Sequence, residues 1–400
     1  DNTEIVANVD EDIIDSLTGG RLVGSVTSFE NFAECPLRYY LRYGVDLKER
    51  EEFTFSPVNF GVVLHAVIRE VCDEIKKNGE SYYLISEEKR REMVKRSVAA
   101  ITDIYQNSIL KDSSRNSFMI KRMEDLADRT VWAMGEQLKC GDFVPFVFEH
   151  KFNMEVGDGD RKQLMSGTID RVDICENGTD VYVRIIDYKT GKKDFNIVKT
   201  YYGIDIQLMV YMEAAMKLVA KMRPGKNVIP AGVFYYNISD PIVSATTESA
   251  EEIEDKIKGE LRLKGMVNSD KDIAEKMDNT GGTSLNIPVS RKADGGFDSR
   301  RSKVMNTEQF NMLGRFVDVR AVDTADRIAG GDIRRSPYKD GQFSSCDRCP
   351  YGAVCGFSVD LPGCNYRKLK KFDDEVLWNN IKEGVDENGK KMDTGAEERD

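Results

Sequence analysis

The sequence predicts an α/β fold in which helices flank a central mixed sheet, and three observations support this prediction. Apolar residues at helical spacing recur through the first 140 residues, three extended runs with turn signals between them follow, and another helix and strand come next. The order helix, three strands, helix, strand is typical of a sheet covered by helices. With 40% hydrophobic and 32% charged residues, the composition is globular, which excludes a mostly disordered chain.

The elements before the sheet are helical. Residues 1–24 are acidic, lack periodicity, and are predicted to form a flexible segment. Thr27 and Glu30 match a capping box, which predicts that a short helix begins at Thr27. Apolar stripes predict three further helices, over residues 57–76, 87–110 and 117–140.

Three extended runs then predict strands over residues 146–154, 163–174 and 181–189. Glycine-rich turns between them indicate antiparallel hairpins. A helix over 205–222 and a strand over 228–236 follow. Further helices are predicted over 245–265 and 307–329, with a mobile loop rich in Gly, Ser and Asn at 279–302. The acidic stretch from residue 373 is predicted to be frayed.

Composition also limits the classes of function. The net charge of −11 excludes a general polycation, so binding to nucleic acid would need a local basic groove. There is no phosphate-binding loop of an ATP-driven motor, no signal peptide and no apolar run long enough to span a membrane. We therefore expect a cytoplasmic protein without membrane contact. Because the chain begins without methionine and with a polar segment, we expect it to be part of a longer polypeptide.

Three charged side chains lie towards the ends of the second and third predicted strands. Asp170 is in the second strand, and Asp187 and Lys189 end the third. Because strand side chains alternate between faces, Asp187 and Lys189 project together while Tyr188 projects oppositely. If the strands pair, Asp170 lies beside Asp187, and a cation is needed between the two carboxylates. Mg²⁺, which prefers oxygen ligands, is the natural cation, whereas an isolated Asp-x-Lys would more often be a surface ion pair.

Other side chains agree with a site that hydrolyses phosphodiesters. Lys189 would orient or deprotonate a water, or neutralise charge that develops on the phosphate. Gln207 and Tyr211 share one helix face and would hold a DNA phosphate or a water, unless they are ordinary helix surface. His65 could complete a metal site through its neutral imidazole. Glu149 is a weaker candidate, which either supports the site or is merely exposed.

Eight cysteines are too few for a disulfide scaffold in a chain of 400 residues. Cys346, Cys349 and Cys355 lie within ten residues, which indicates metal or redox use in a reducing compartment. The spacing suits either tetrahedral zinc or an iron–sulfur cluster. A fourth ligand must come from elsewhere, and Cys364 is the nearest in sequence. Basic residues cluster nearby and could meet DNA or be solvated surface: Arg334, Arg335, Lys339, Arg348, Arg367, Lys368, Lys370 and Lys371.

Together these residues resemble the PD-(D/E)xK nuclease superfamily, and more narrowly its RecB-like branch. The motifs that carry the resemblance are His65 in residues 61–65, Asp170 in 167–171, Asp187 and Lys189 in 187–191, and Gln207 with Tyr211. Residues 28–40 resemble the start of the nuclease domain of AddB-type subunits, and the cysteine run resembles its end. The similarity of pattern extends from about residue 25 to 372 and includes residues 261–265.

The resemblance implies a restriction-endonuclease-like core with helical additions and a cysteine-ligated cluster that staples the two ends. The nuclease domain would span 25–372, between the flexible segment 1–24 and an acidic tail at 373–400. Within it lie the core 57–240, additions 241–345 and a cysteine loop 346–364.

The resemblance also implies the ligands. The metal ligands would be His65, Asp170, Asp187 and the backbone carbonyl of Tyr188, with Lys189 as the catalytic lysine. Gln207 and Tyr211 would belong to the same site. A [4Fe–4S] cluster would be bound by four cysteines: Cys35, Cys346, Cys349 and Cys355.

The implied activity is that of an Mg²⁺-dependent DNA exonuclease in double-strand break resection, associated with the 5′-terminated strand. Its partners would be DNA ends and an AddA-type helicase-nuclease subunit. The departure from the family is that no helicase-like part is present. Two alternatives remain: a CRISPR-adaptation nuclease with the same core, and a catalytically idle scaffold that binds DNA ends.

Overall fold

The computed structural model describes residues 8–10, 12–13, 23–48, 57–104, 114–156, 163–244, 248–361 and 364–397. The helices are α1 Val26–Glu34, α2 Pro36–Tyr39, α3 Pro57–Lys77, α4 Glu87–Ile104, α5 Ser114–Lys139, α6 Ile197–Tyr201, α7 Gln207–Met222, α8 Ala250–Glu260, α9 Lys271–Met277, α10 Thr307–Ala329, α11 Gly352–Cys355 and α12 Asp374–Glu397. The strands are β1 Val23–Ser25, β2 Val144–Val156, β3 Gln163–Asn177, β4 Asp180–Lys189, β5 Asn227–Asn237, β6 Lys264–Asn268, β7 Val304–Met305, β8 Tyr338–Asp340, β9 Phe343–Ser344 and β10 Arg367–Lys368. A single-turn π-helix continues α2 over Tyr40–Gly44.

The main sheet is mixed, as predicted. β2, β3 and β4 form an antiparallel meander, and β5 lies parallel to β4. β6 is antiparallel to β5, β7 is parallel to β6, and β1 adds to the start of β3 in parallel. Strands β8, β9 and β10 form a separate small sheet. Parallel pairing of β4 with β5 requires a crossover, which α6 and α7 supply.

The sheet has a helical layer on each face. One apolar core lies between the sheet and α3, α4 and α5, and contains Ile186, Tyr188 and Phe234. The other lies between the sheet and α1, α7, α10 and α12, and contains Ile185 and Val233. Because alternate residues of β4 enter different cores, both of its faces are buried, and its polar residues need internal partners.

Three such polar residues form a buried cationic–anionic network in the middle of the sheet. Arg171 on β3 donates two hydrogen bonds to Asp173, at 2.7 and 2.6 Å, and Arg184 on β4 donates another at 2.8 Å. All three side chains are at most 1% exposed. Burial alone would raise the pKa of Asp173, but the two guanidinium groups hold it below its ordinary value. The carboxylate is therefore the counter-charge for two buried cations.

We expect Asp173→Asn to lower the free energy of unfolding by about 3–5 kcal/mol, because it leaves two buried guanidinium groups without a counter-charge. Urea unfolding monitored by circular dichroism measures the change. The matched control is Glu176→Gln on the same strand, which removes an exposed ion pair with Arg223 and should barely move the midpoint. Equal midpoints for the two variants would contradict this account.

The start of the first helix differs from the prediction. The capping residue is Ser25, whose hydroxyl accepts a 3.1 Å hydrogen bond from Ser28 N, and not Thr27. Glu30 does not complete a capping box, because its carboxylate bonds to the first amides of α7 instead. The predicted flexible segment 1–24 lies mostly outside the described residues, although its last two residues belong to β1.

Two C-terminal predictions were wrong. The helix predicted over 245–265 ends at Glu260, and its last residues form β6, because pairing with β5 outweighs the helical propensity of a short lysine-containing run. The acidic tail is not frayed throughout: α12 packs against α10 and buries Leu377 and Ile381. The predicted loop at 279–302 has no regular helix or strand, but it buries side chains such as Ile287. Among the residues that the structure describes, no helix is long and apolar enough to span a bilayer.

Candidate active site

Three carboxylates lie side by side across three neighbouring strands. The register of β3 with β4 pairs Arg171 with Ile186, so the next residues, Asp170 and Asp187, are adjacent. On the other side, β2 pairs with β3 on both flanks of Glu149, which lies opposite Asp170. Asp170 and Asp187 are 7% and 2% exposed. The juxtaposition of Asp170 and Asp187 agrees with the sequence prediction.

His65 approaches this row from α3. Its Nδ1 is 3.5 Å from Asp170 Oδ1 and 3.7 Å from Glu149 Oε1. The ligand atoms of His65, Glu149 and Asp170 all lie within 4.8 Å of one another, the spacing of a metal site. Burial alone would lower the pKa of His65, but the hydrogen bond to Asp170 and the nearby carboxylates raise it. The carboxylates around His65 thus stabilise the protonated form of its imidazole.

Asp187 is held from the side of α7. Gln207 Nε2 donates to Asp187 Oδ1 at 3.2 Å and to the Tyr211 hydroxyl oxygen at 2.9 Å, while Gln207 Oε1 accepts from Lys189 Nζ at 3.0 Å. The Lys189 ammonium also forms an ion pair with Asp187. Every polar atom of the Gln207 amide therefore has a partner in the site, and these hydrogen bonds link Asp187, Lys189 and Tyr211 to α7. Tyr188 points to the opposite face, and its N–H donates to Asp170 Oδ2 at 2.6 Å.

The charge state of Asp187 reflects this crowding. Burial, and then the charge of Asp170, raise its pKa to about 7, although Lys189 opposes the shift. Its Oδ2 is buried and lies beside the Lys189 ammonium, but it accepts no hydrogen bond of regular geometry from the described residues. A buried carboxylate oxygen with so little compensation, beside a second carboxylate, is the environment that a bound cation would relieve.

Glu149 belongs to the row of three carboxylates, although its sequence made it only a weak candidate for the site. Its backbone has a positive φ of 47°, in the left-handed region that non-glycine residues rarely adopt inside a strand. This strained conformation is the one in which its carboxylate meets Asp170 and His65. Burial, followed by the charge of Asp170, raises its pKa. No local sequence signal reports such a backbone distortion.

The packing behind Tyr211 explains a glycine of the sequence motif. The Tyr211 and Phe152 rings meet edge to face at 5.6 Å over Gly167. A Cβ at this position would lie 2.7 Å from the Phe152 ring and 3.0 Å from the Tyr211 ring. The glycine therefore lets the tyrosine hydroxyl reach Gln207.

Glu30 is a contributor that the sequence did not reveal. Its Oε1 accepts hydrogen bonds from Ile206 N at 2.9 Å and Gln207 N at 3.0 Å, at the start of α7. Burial raises the pKa of Glu30 to about 7, against the opposing charge of Lys193. Lys193 in turn pairs with Asp205 at 3.0 Å, immediately before α7. The first helix thereby fixes the position of the helix that carries Gln207.

The four cysteines expected to act together line one pocket. Cys35 ends α1, while Cys346, Cys349 and Cys355 come from the C-terminal loop. Burial raises the pKa of Cys35, and the charge of Cys355 adds to the shift. Burial likewise raises the pKa of Cys346, with contributions from the other three thiols. Cys364 is buried elsewhere and does not line this pocket.

The thiols are unpaired and not tightly convergent. All eight cysteines are free. Within the described ranges, the only group of three or more candidate ligands whose atoms converge within 4.8 Å is the one at His65. A tetrahedral zinc with Zn–S bonds of about 2.3 Å would bring its sulfur ligands to about 3.8 Å from each other. The four thiols do not adopt that spacing in this structure, and they share one pocket.

Three of the eight basic residues near the cysteine loop make contacts within the structure. Arg334 pairs with Asp332 at 2.7 Å, and Arg335 donates to the Cys355 carbonyl at 3.2 Å. Arg367 donates to the main-chain carbonyls of Ala33 and Glu34 at the end of α1. These contacts join the two ends of the chain and occupy three members of the cluster predicted to meet DNA.

Comparison with known proteins agrees with this geometry. Residues 24–356 match the family described as the PD-(D/E)XK nuclease superfamily. The chain is similar to an ATP-dependent helicase/deoxyribonuclease subunit of Thermoanaerobacter sp. (strain X514), with 33% identity over 380 residues, or 92% of this chain and 33% of the relative. The corresponding subunit from Clostridium acetobutylicum, which has the same name, is 34% identical over 397 residues, or 97% of this chain and 34% of the relative. The chain spans about a third of the length of these curated relatives.

Proposed function

The chain belongs to the PD-(D/E)XK nuclease superfamily, and from this membership we propose that it is a metal-dependent DNA exonuclease domain acting in double-strand break resection. The observation that carries the proposal is the row of Glu149, Asp170 and Asp187 beside His65 and Lys189. A catalytically idle scaffold would have no need to bury these charges together, since each buried charge costs stability.

The residues fit a divalent cation. The donor set consists of carboxylate oxygens and one imidazole nitrogen, which suits Mg²⁺ or Mn²⁺ better than a softer metal. We propose His65, Asp170, Asp187 and the backbone carbonyl of Tyr188 as ligands, and add Glu149 to the set. When bound, the cation would acidify a water and stabilise negative charge on the phosphate.

The remaining groups orient the reactants. Lys189, held by Gln207 and Asp187, presents its ammonium where negative charge develops on the phosphate during water attack. The Tyr211 hydroxyl accepts from Gln207, so its own proton remains available to donate to a phosphate oxygen. Gln207 contributes by fixing these groups, which lowers the reorganisation needed at the moment of reaction.

A direct assay tests the proposal. The anaerobically purified protein should shorten end-labelled linear DNA in Mg²⁺, leave covalently closed circular DNA intact, and do neither after chelation. Binding of DNA ends without cleavage would instead favour the idle scaffold. Cleavage of closed circles at an equal rate would contradict the requirement for an end.

We further propose that Cys35, Cys346, Cys349 and Cys355 bind one [4Fe–4S] cluster with a structural role. Their common pocket supports a shared metal group, and the resemblance to the AddB-type nuclease domain favours [4Fe–4S] over zinc. A location in a reducing compartment such as the cytoplasm would keep these thiols available. The group would hold the first helix against the C-terminal loop, next to contacts such as Leu37 N to Arg334 O at 3.3 Å.

We extend the proposal to the assembly because the relatives are named as subunits of an ATP-dependent helicase/deoxyribonuclease. The partner would be an AddA-type subunit that supplies the motor, and the strand degraded would be the 5′-terminated one. A CRISPR-adaptation nuclease is the less favoured alternative, since the similarity covers 92–97% of this chain in subunits of the named type.

We expect Glu30→Ala to lower kcat about tenfold with little change in KM, because it releases the start of α7 and with it Gln207. The free energy of unfolding should fall by about 1–2 kcal/mol through loss of a helix-capping acceptor. Glu30→Gln retains an acceptor oxygen and should restore most of kcat. The matched control is Glu252→Ala, which removes a capping glutamate from α8. Equal kcat values for Glu30→Ala and Glu252→Ala would contradict a positioning role.

A further inference from the structure

A large groove opens beside the active site and is not needed for the chemistry itself. It has a volume of about 1000 Å³ and begins at Thr190 and Gly191, directly after Lys189. Its walls come from α3 and α5 on one side and from the chain around the ends of β5 and β6 on the other. Six basic and three acidic side chains line it, an excess of positive charge in a chain whose net charge is −11.

Four of the six basic side chains have no carboxylate partner within the described part of the chain: Arg122, Lys192, Arg262 and Lys264. By contrast, two of the acidic residues of the wall are already paired. Asp194 forms an ion pair with Lys303 at 2.5 Å, and Asp240 forms one with Arg129 at 3.3 Å. The third, Glu260, acts on Lys264 only as a nearby charge. The free charge in the groove is therefore mainly positive.

Arg262 and Lys264 are the two neighbouring cations of the groove that are best placed to bind an anion. Leu261 and Leu263 are buried at 2% and 0%, so the alternating Arg262 and Lys264 face the groove together. Burial and the neighbouring guanidinium lower the pKa of Lys264. The Nε of Arg262 is buried without a hydrogen-bond partner, and its Nη1 reaches only the Ser284 carbonyl, at 3.4 Å. Two adjacent cations, one of which has a donor without a hydrogen-bond partner, form a site for an anion.

We propose that this groove binds the sugar-phosphate backbone of single-stranded DNA adjacent to the scissile phosphate, with Arg262 and Lys264 as phosphate contacts. The inference rests on the proposed nuclease function and names the path of its substrate. A polyanion satisfies a line of separate cations that a single small anion would not. Met119 is partly exposed in the wall of the groove and offers an apolar surface against which a base can pack.

The test compares binding and turnover in the full chain with its cluster intact. We expect Arg262→Ala/Lys264→Ala to weaken binding of a 20-nucleotide oligothymidylate about tenfold, measured by fluorescence anisotropy without divalent cation. The slope of log affinity against log salt should fall in magnitude by about 1.4, for two lost phosphate contacts. In Mg²⁺, KM should rise while kcat at saturation stays near the wild-type value.

Two further variants keep the test decisive. Arg122→Ala/Lys192→Ala changes exposed side chains that cannot affect folding, and should reproduce the effect in part. Lys226→Ala removes an exposed cation at the far end of the sheet, where it donates to Gly178 O, and should not change binding or cleavage.

The outcomes separate the groove from the nuclease function. If both double variants keep the wild-type affinity and salt slope while the wild type cleaves normally, the proposed DNA-binding role of the groove is overturned and the proposed nuclease function stands. If the wild type does not cleave, the proposed function fails, while the binding measurement still decides the groove. If the double variants lose binding to polyglutamate but keep binding to oligothymidylate, the proposal is also overturned, because the groove would then bind an acidic protein segment.

Discussion

Asp187→Ala abolishes DNA cleavage, with an expected loss of at least about 10³-fold in kcat/KM, or about 4 kcal/mol of transition-state stabilisation. The reason is that Asp187 joins the proposed metal-binding row to Gln207 and Lys189, so its removal disturbs both. End-labelled DNA in Mg²⁺ provides the measurement. Asp180→Ala, at the other end of the same strand, is the matched control and should cleave normally. If Asp187→Ala cleaved DNA at the wild-type rate, Asp187 could not belong to the active site.

The raised pKa of Asp187 should also make the free energy of unfolding depend on pH. The pKa of Asp187 is raised to about 7 in the folded, metal-free chain, mainly by burial, from an ordinary value near 3.8. Because a raised carboxyl pKa favours folding only while the group is protonated, its contribution is complete below about pH 4 and is lost as the pH rises through 7. Asp187→Asn should therefore be less sensitive than the wild type to a rise from pH 5 to 8 in chelator. A steeper loss of stability in the variant would contradict the shift.

Lys189→Ala separates metal binding from turnover. This variant should still bind Mg²⁺ in calorimetry, since Lys189 is not a ligand, but should lose most of its cleavage rate because charge on the phosphate is no longer neutralised. Loss of Mg²⁺ binding in Lys189→Ala would mean that the ammonium mainly shapes the carboxylate site.

We expect Cys35→Ala to eliminate the proposed iron–sulfur cluster and to lower both the free energy of unfolding and the binding of DNA ends. Cys35 and Cys346 are about 310 residues apart in the chain, and closing a loop of that length corresponds to about 5 kcal/mol of chain entropy. The entropic part of the loss should be smaller than this, because Arg367 and Leu37 hold the same ends through hydrogen bonds. Iron and sulfide analysis, with absorbance near 400 nm, measures cluster content.

Cys364→Ala is the matched control for the cluster. Cys364 is buried outside the cysteine pocket, so iron content should stay at the wild-type level even if stability falls slightly. Loss of iron in Cys364→Ala but not in Cys35→Ala would overturn the end-to-end arrangement. Stoichiometric zinc without iron in anaerobic protein would refute the cluster.

Much of the candidate site could be predicted because its chemistry lies in short, regular segments. Alternation along β4 is enough to place Asp187 and Lys189 on one face, and helical spacing is enough to bring Gln207 and Tyr211 together. These are local rules, and they apply wherever a strand or helix is correctly recognised. The antiparallel pairing of β2, β3 and β4 followed from the same elements, because short hairpins constrain neighbouring strands.

The parts that were missed depend on contacts distant in the chain. Glu30 meets Ile206 across 176 positions, so its sequence context suggested a local cap instead. Glu149 enters the site only through an unusual backbone conformation. β6 becomes a strand because β5 offers it an edge, and α12 is ordered because α10 offers an apolar surface. In each case tertiary packing overrides the local signal.

The position of Cys35 and the cysteine loop has a consequence for biosynthesis. During translation at 5–20 residues per second, Cys346 emerges roughly 15–60 s after Cys35. All of the sheet's long strands and the helices of the nuclease core are made in that interval. Insertion of the proposed cluster would therefore follow the synthesis of the nuclease core and could not serve as its template. A ribosome that stalls before residue 346 would release a chain with every proposed catalytic side chain but without three of the four proposed cluster ligands.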